Sequence, residues 1–206
     1  MGKRADRHFE TQRNQQRAML AQEAARLIRD HGITDFRLAK SKAALALGLT
    51  DRGALPSNRE IETALAERNR IFGADTHTSL LTRMRTVAIK VMYDLQPFTP
   101  CLVGPVLSGN ITEHCAITLH VFSDSSESVA IRLDARGIAH QLSQRRHKLR
   151  RDQFEAFPNY DFWADDFAVE ATVFPERRKA HAPLSPVDGR PMDRVRLRDV
   201  EMMLTG

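Results

Sequence analysis

The sequence contains little cysteine and no long apolar run. Its 206 residues include two cysteines, Cys101 and Cys115, which form no CxxC pair. This sparse cysteine excludes a disulfide framework and is typical of a reducing compartment. No apolar stretch approaches the roughly 20 residues that a membrane-spanning helix needs. Because the first ten residues are charged and lack an apolar core, we expect no signal peptide, no membrane partner and a cytoplasmic location.

The charge balance is basic. Lysine and arginine total 31 against 26 aspartates and glutamates, which gives a formal net charge of +5 and a pI near 9.6. A basic excess favours polyanionic partners such as RNA, DNA, nucleotides or acidic proteins. A chain of this length buries enough surface to fold without a metal or a disulfide.

Helical periodicity dominates residues 1–96. Apolar residues recur at helical spacing in four segments, which predicts helices over 8–31, 36–47, 57–72 and 79–95. Asp35 is placed as an N-cap, and Ser57 with Glu60 forms a capping box. The change of pattern near Pro97 predicts a boundary between a helical N-terminal region and a second domain over 97–206.

The periodicity shortens after Pro100. Strands are predicted over 101–107, 116–122, 138–144, 157–164 and 167–174. One helix is expected from Asp124 to Arg136, capped by Asp124, and a short one over 197–204. The predicted fold class is therefore α+β, with a helical N-terminal part followed by a small mixed-sheet domain.

One stretch resembles a known family. The segment Leu102-Val-Gly-Pro-Val-Leu-Ser-Gly109, followed by the strand 117–122, is similar to the opening of the nucleotidyltransferase fold. In that family two glycines flank a turn that receives triphosphate, and they match Gly104 and Gly109. A following strand carries two metal-binding carboxylates, and Glu170 falls where the third carboxylate is expected. Over residues 97–175, the resemblance implies a nucleotide-binding set of Gly104, Ser108, Gly109 and Thr118.

The same stretch departs from the family pattern. Pro105 replaces a serine, and the two metal carboxylates are replaced by Ala116 and Thr118. Because Mg²⁺ usually needs one or two carboxylates besides substrate phosphates, Glu170 alone would hold it poorly. The resemblance therefore implies a degenerate member that binds nucleotide or nucleic acid without the standard two-metal chemistry.

Enzymatic activity stays open. The alternative is an active nucleotidyltransferase that uses Mg²⁺ with relocated carboxylates, Glu170 together with Glu113 or Asp124. No other cofactor and no resident metal are expected.

Polar residues alternate with apolar ones along the strand 117–122. Thr118 and His120 therefore share one face, and Glu170 could join them from a neighbouring strand. In the functional interpretation, Glu170 and His120 are catalytic, with His120 acting as a base or a phosphate contact. In the structural interpretation, helices cover this face and His120 is a buried packing residue.

The densest run of positive charge follows the predicted strand 138–144. It comprises Arg145, Arg146, Lys148, Arg150 and Arg151. These residues are the predicted nucleic-acid contacts, since each phosphate contact adds salt-dependent affinity. The alternative is a solvated hairpin. The aromatic residues from Phe154 to Trp163 could stack bases or fill the core.

Three other interpretations remain open. His114, Cys115 and His120 could ligate zinc, although their spacing matches no established motif. The helices 36–47 and 57–72 could form a helix-turn-helix, although their connection exceeds the usual 3–4 residues. The N-terminal helices could instead bind a protein partner, which would make the chain an interaction module.

Overall fold

The computed structural model describes residues 2–49, 55–71 and 74–205. It confirms the predicted α+β class, with helices first and a mixed sheet after them. The chain forms two compact units. The first contains Met1–Ala74 with Thr112–His114, and the second contains Asp75–Ile111 with Cys115–Gly206. None of the described helices combines the length and apolarity that crossing a bilayer requires.

The first unit is built from three helices, α1 (Gly2–His31), α2 (Phe36–Ala46) and α3 (Asn58–Ile71). Their core includes Leu20, Ala24, Ala39, Ala43, Ile61 and Leu65.

Both predicted caps of this unit are confirmed. The Leu38 N–H donates to the Asp35 carboxylate at 2.8 Å. The Ser57 N–H donates to Glu60 Oε2 at 2.7 Å, and the Glu60 N–H donates to Ser57 Oγ at 3.2 Å. These bonds satisfy amides that a helix start leaves unpaired. The predicted end of the third helix at Phe72 lies outside the described residues.

The second unit places helices against one side of a six-stranded sheet. Its elements are α4 (Ala74–Asp94), β1 (Cys101–Val103), α5 (Gly104–Ser108), β2 (Ile117–Phe122), α6 (Ser126–Ala135), β3 (His140–Arg150), β4 (Gln153–Ala164), β5 (Phe167–Phe174), β6 (Val195–Arg196) and α7 (Leu197–Thr205). The strand order is β3-β4-β5-β2-β1-β6. Only β2 and β5 pair in parallel, and every other neighbouring pair is antiparallel.

Three local predictions in this unit are corrected. The predicted strand over 101–107 ends at Val103, because Gly104 has φ +70° and Pro105 then begins a helical turn. Ser125 rather than Asp124 is the N-cap residue of α6. The Asp124 carboxylate instead accepts from the Glu176 N–H at 3.1 Å. Strand β3 continues to Arg150, so the basic run lies in a strand and not in a loop.

The two faces of the sheet differ in chemistry. One face packs its apolar residues against α4, α6 and α7, through side chains that include Leu119, Val121, Val169, Val173, Val91, Leu133 and Val200. The other face, here called the polar face, carries Thr118, His120, Ser143, Arg145, Asn159, Asp161, Glu170 and Thr172. The polar residues of β2 and β5 that the sequence singled out therefore lie on the polar face.

Candidate functional site

The strand register brings the predicted site residues onto one face. In the parallel pair of β2 and β5, Thr118 lies opposite Glu170 and His120 lies opposite Thr172. In the next pair, Asp161 of β4 lies opposite Glu170 on its other side. The prediction that Thr118, His120 and Glu170 share a face is confirmed, because paired strands present opposite residues on the same side.

Glu170 is held by an arginine. The Arg145 guanidinium on β3 makes an ion pair with Glu170 Oε2 across β4. Burial lowers the pKa of Arg145, while Asp161 opposes that shift with its negative charge. The guanidinium stays charged, because arginine is not deprotonated in proteins. The carboxylate that the resemblance assigns to a metal therefore already has a cationic partner.

The neighbouring carboxylate is also occupied. Ser143 Oγ donates to one oxygen of Asp161 at 2.5 Å, and Asn159 Nδ2 donates to the other at 2.7 Å. The buried Thr172 hydroxyl donates to Asn159 Oδ1 at 2.9 Å. The carboxylates of Glu170 and Asp161 are thus both hydrogen-bonded to protein donors, which competes with metal coordination. Within the described parts of the chain, no group of three or more metal-binding side chains occurs.

His120 is unsuited to act as a surface base. Its side chain has no solvent exposure, and its Nδ1 accepts from Arg194 Nε at 3.0 Å. Burial holds the pKa of His120 well below its ordinary value, and the charges of Arg194 and Arg145 add to this effect. His120 is therefore neutral with its proton on Nε2, which has no hydrogen-bond partner among the described residues. These features favour the structural interpretation, in which His120 is a buried packing residue, and its catalytic or phosphate-binding role stays a prediction.

Arg194 belongs to residues 175–194, here called the closing segment, which connect β5 to β6. Its Nη1 donates to the carbonyl oxygens of Arg178 at 2.9 Å and Lys179 at 3.4 Å. Its guanidinium lies 4.9 and 5.0 Å from the ring centroids of Phe122 and Phe174. The closing segment therefore lies against the aromatic end of the polar face, at Phe122 and Phe174. Thr118 and Glu170 lie toward the opposite end of that face.

The residues of the predicted glycine turn do not all lie beside the polar face. A Cβ built on Gly104 would lie 3.8 Å from Thr118 Oγ1, so Gly104 is adjacent to the polar face. A Cβ on Gly109 would instead lie 3.5 Å from Leu81 of α4. Ser108 ends α5, and its hydroxyl donates to the Pro105 carbonyl at 3.3 Å. Of the glycine-turn residues, Gly104 is the one that lies next to Thr118.

The basic run is also divided by strand alternation. Arg145 points to the polar face, whereas Arg146 and Lys148 lie on the other side of β3, 4.8 and 5.7 Å from the Phe154 ring. Arg150 ends the strand and Arg151 begins the turn, and both are exposed. No ion pair of the described residues includes any of the last four cations. These residues and Phe154 are here called the basic ribbon.

The structure bears differently on the zinc, helix-turn-helix and protein-partner interpretations. A zinc site at His114, Cys115 and His120 has no support among the described residues, since no metal-binding group is found there. A helix-turn-helix would need a short turn, but residues 47–57 separate α2 from α3. A protein partner of the helical unit stays a prediction, with Leu38 and Leu45 exposed on α2.

Comparisons with protein-family models, curated proteins and solved structures give no significant match to this chain. The geometry of the polar face is therefore the ground for a functional proposal.

Several residues of the site carry no signal in the sequence. Asp161, Asn159 and Ser143 lie in segments that alternate irregularly, and their shared face is visible only once the register of β3, β4 and β5 is known. Arg194 lies 74 residues from His120 along the chain. The one pattern that could have indicated a polar strand face is that Asp161 and Trp163 alternate with the buried Tyr160 and Phe162.

Proposed function

We propose that this chain binds a nucleotide on the polar face without metal-dependent catalysis. The observation that carries the proposal is the ion pair of Glu170 with Arg145, directly beside Thr118. The nucleotidyltransferase resemblance places metal ions at this point. A carboxylate neutralised by a guanidinium has little remaining attraction for Mg²⁺, which favours binding over two-metal chemistry.

Arg145 supplies a positive charge where the family has a metal ion. A planar guanidinium forms paired hydrogen bonds with phosphate oxygens as readily as with a carboxylate. A nucleotide phosphate can therefore compete with Glu170 for Arg145. Gly104 has no side chain and lies beside Thr118, which leaves room for a ligand to approach the backbone there.

The active-enzyme alternative has less support. Asp124 follows the far end of β2, roughly 20 Å from Thr118 at the rise of an extended strand, so it does not share a metal with Glu170. Asp161 lies closer, but both of its oxygens accept hydrogen bonds from Ser143 and Asn159. Glu113 belongs to the first unit.

The test is calorimetric binding of the four ribonucleoside triphosphates, once with Mg²⁺ and once with a chelator. We expect equal affinity in both conditions. Arg145→Met should weaken binding at least tenfold, because it removes the phosphate-binding fork, and Arg145→Lys should restore part of it. Arg198→Met on α7 is the matched control, since it removes an exposed arginine elsewhere in the same unit.

Glu170→Gln separates binding from metal chemistry. It frees Arg145 from its carboxylate, so we expect nucleotide affinity to rise or stay unchanged. An affinity that requires Mg²⁺ and disappears in Glu170→Gln would support the active enzyme and refute the proposal.

Nucleic acid is a second candidate ligand, favoured by the basic ribbon. Arg146, Lys148, Arg150 and Arg151 have no carboxylate partner among the described residues. Arg146 and Lys148 lie over the ring of Phe154, which is 49% exposed. Unpaired cations beside an exposed aromatic ring are typical of surfaces that bind single-stranded nucleic acid. Replacing all four with glutamine should abolish RNA retention in filter binding at low salt, and unchanged retention would exclude this surface.

A further inference from the structure

The chain has a single tryptophan, and it is exposed. Trp163 is 71% exposed near the end of β4, more than any other aromatic side chain that the structure describes. Its aromatic neighbours on the strand, Phe157, Tyr160 and Phe162, are buried. Phe154 is exposed but already carries Arg146 and Lys148 over its ring. Trp163 is therefore the aromatic residue of β4 whose ring is available to a ligand.

Strand alternation places Trp163 on the polar face. It is two residues from Asp161 and lies opposite Ala168 of β5, which in turn precedes Glu170 by two residues. Because the side chain of Ala168 is only a methyl group, little side-chain volume covers the sheet surface beside the indole. A flat ligand can therefore lie against the ring without displacing a neighbouring side chain.

The turn that follows Trp163 is fixed to α4. Lys90 Nζ lies 2.8 Å from Asp165 Oδ2, and Arg83 Nη2 lies 3.1 Å from Asp166 Oδ2. Individual surface ion pairs contribute little stability, but two of them restrain one short turn. The indole therefore projects from a strand end that these two ion pairs restrain. Binding a ring there should require little further ordering of the chain.

The separation from Thr118 fits one nucleotide. Two strand spacings and two residues of strand rise put the Cα atoms of Trp163 and Thr118 about 12 Å apart. This distance is comparable with the span from the base to the outer phosphates of a nucleoside triphosphate. Glu170 lies on the same face on β5, the strand between β4 and β2, and the Arg145 guanidinium reaches its carboxylate from β3.

We propose that Trp163 is the base-stacking residue of this site, on which the nucleobase lies while its phosphates reach toward Arg145 and Thr118. The inference rests on the proposed nucleotide-binding function. Every base has a π face, so stacking on the indole accepts all four bases. Purines cover more of the ring and should bind more tightly than pyrimidines.

The test uses the fluorescence of the intact chain, because all tryptophan emission comes from Trp163. Titration with ATP should quench the emission as binding saturates. Inorganic triphosphate, which has no base, should compete with ATP and reverse the quenching without quenching by itself. Trp163→Ala should weaken ATP affinity by tenfold or more and leave inorganic triphosphate affinity unchanged.

Two further variants complete the test. Trp163→Phe should keep most of the affinity, because phenylalanine retains a stacking surface. Tyr93→Ala, which removes an exposed ring from α4 of the same unit, should leave ATP affinity unchanged. Circular dichroism melting of each variant verifies that it is folded.

The outcomes separate this inference from the proposed function. If calorimetry detects ATP binding but Trp163→Ala binds ATP as the parent does, base stacking at Trp163 is refuted and nucleotide binding stands. If calorimetry detects neither ATP nor triphosphate binding, the proposed function fails and this inference fails with it.

Discussion

At the scale of single residues, burial keeps two histidines neutral beside arginines. His120 and His147 meet edge to face, with ring centroids 5.5 Å apart, and both contact the Phe174 ring. Burial lowers the pKa of His147 to about 4, with smaller effects from the charges of Arg145 and Arg194. A proton on either ring would add a charge to a region that already holds two guanidinium groups.

This arrangement predicts a loss of stability in acid. In the unfolded chain His147 has an ordinary pKa near 6.5, so between pH 6.5 and about 4 the unfolded state binds more protons than the folded state. The free energy of unfolding should therefore fall as the pH is lowered through this window, by about 1 to 3 kcal/mol from His147. The buried His120 contributes to the loss in the same direction, because burial holds its pKa well below the ordinary value.

His147→Phe tests the contribution of this residue. Phenylalanine fits an aromatic environment and cannot be protonated, so urea unfolding at pH 7 and at pH 4.5 should differ less than in the parent. His181→Phe, at an exposed position, is the matched control. An unchanged pH dependence in His147→Phe would show that this histidine does not carry the effect.

At the scale of elements, the closing segment is held to the sheet by a few polar contacts. Arg178 Nη2 donates to Glu155 Oε2 at 2.9 Å, and the Leu184 N–H donates to the Lys148 carbonyl at 2.6 Å. Arg194 adds the bond to His120 and the bonds to two carbonyls of the segment itself. Beneath the segment lies an apolar cluster of Cys101, Phe122, Phe157 and Phe174.

Arg194→Met should loosen this element. The substitution removes three hydrogen bonds and leaves His120 Nδ1 buried without a donor, which costs about 2 kcal/mol. We expect a lower free energy of unfolding and faster tryptic cleavage after Arg177 and Lys179 in the closing segment. Arg198→Met should change neither quantity. Equal cleavage rates in Arg194→Met and the parent would mean that Arg194 does not hold the segment.

At the scale of the whole molecule, the position of charge matters more than its sum. The formal net charge is only +5. Much of the positive charge on the polar face is paired with carboxylates, as in Arg145 with Glu170 and Arg178 with Glu155. The four cations of the basic ribbon have no such partner among the described residues. The affinity for a polyanion should therefore depend on the basic ribbon and not on the net charge of the chain.

Two variants of equal net charge test this expectation. Replacing the four ribbon cations with glutamine lowers the net charge from +5 to +1, since 5 − 4 = 1. Replacing four exposed cations of α2 and α3 with glutamine lowers the net charge by the same amount. These cations are Arg37, Lys42, Arg59 and Arg70.

The measurement is the dependence of RNA affinity on salt concentration. Each phosphate contact with a single strand contributes about 0.7 to the slope of log K against log salt, so the ribbon variant should lose up to about 3 units. The helix variant should lose little. Equal losses would indicate an effect of net charge, and a larger loss in the helix variant would favour the helix-turn-helix interpretation.

Local signals in the sequence predicted much of the fold. The caps at Asp35 and at Ser57 with Glu60 involve residues three apart, so they are determined without tertiary contacts. Strand β5 has the predicted bounds, because six of the eight residues from Phe167 to Phe174 are apolar and charged turns bound the strand. The predicted strand over 101–107 failed because Gly104 takes a positive φ that an apolar pattern does not reveal.

The sequence by itself determined the α+β class, the starts of α2 and α7 and the residue types that could form a site. Only the tertiary structure decided which of those residues meet. Arg145 and Glu170 are 25 residues apart, and His120 and Arg194 are 74 residues apart. Their contacts depend on strand register, which is fixed by packing the apolar residues of β2, β4 and β5 against the helices. A shift of one residue in any of these strands would turn its polar residues toward the core, so the site exists only in the folded chain.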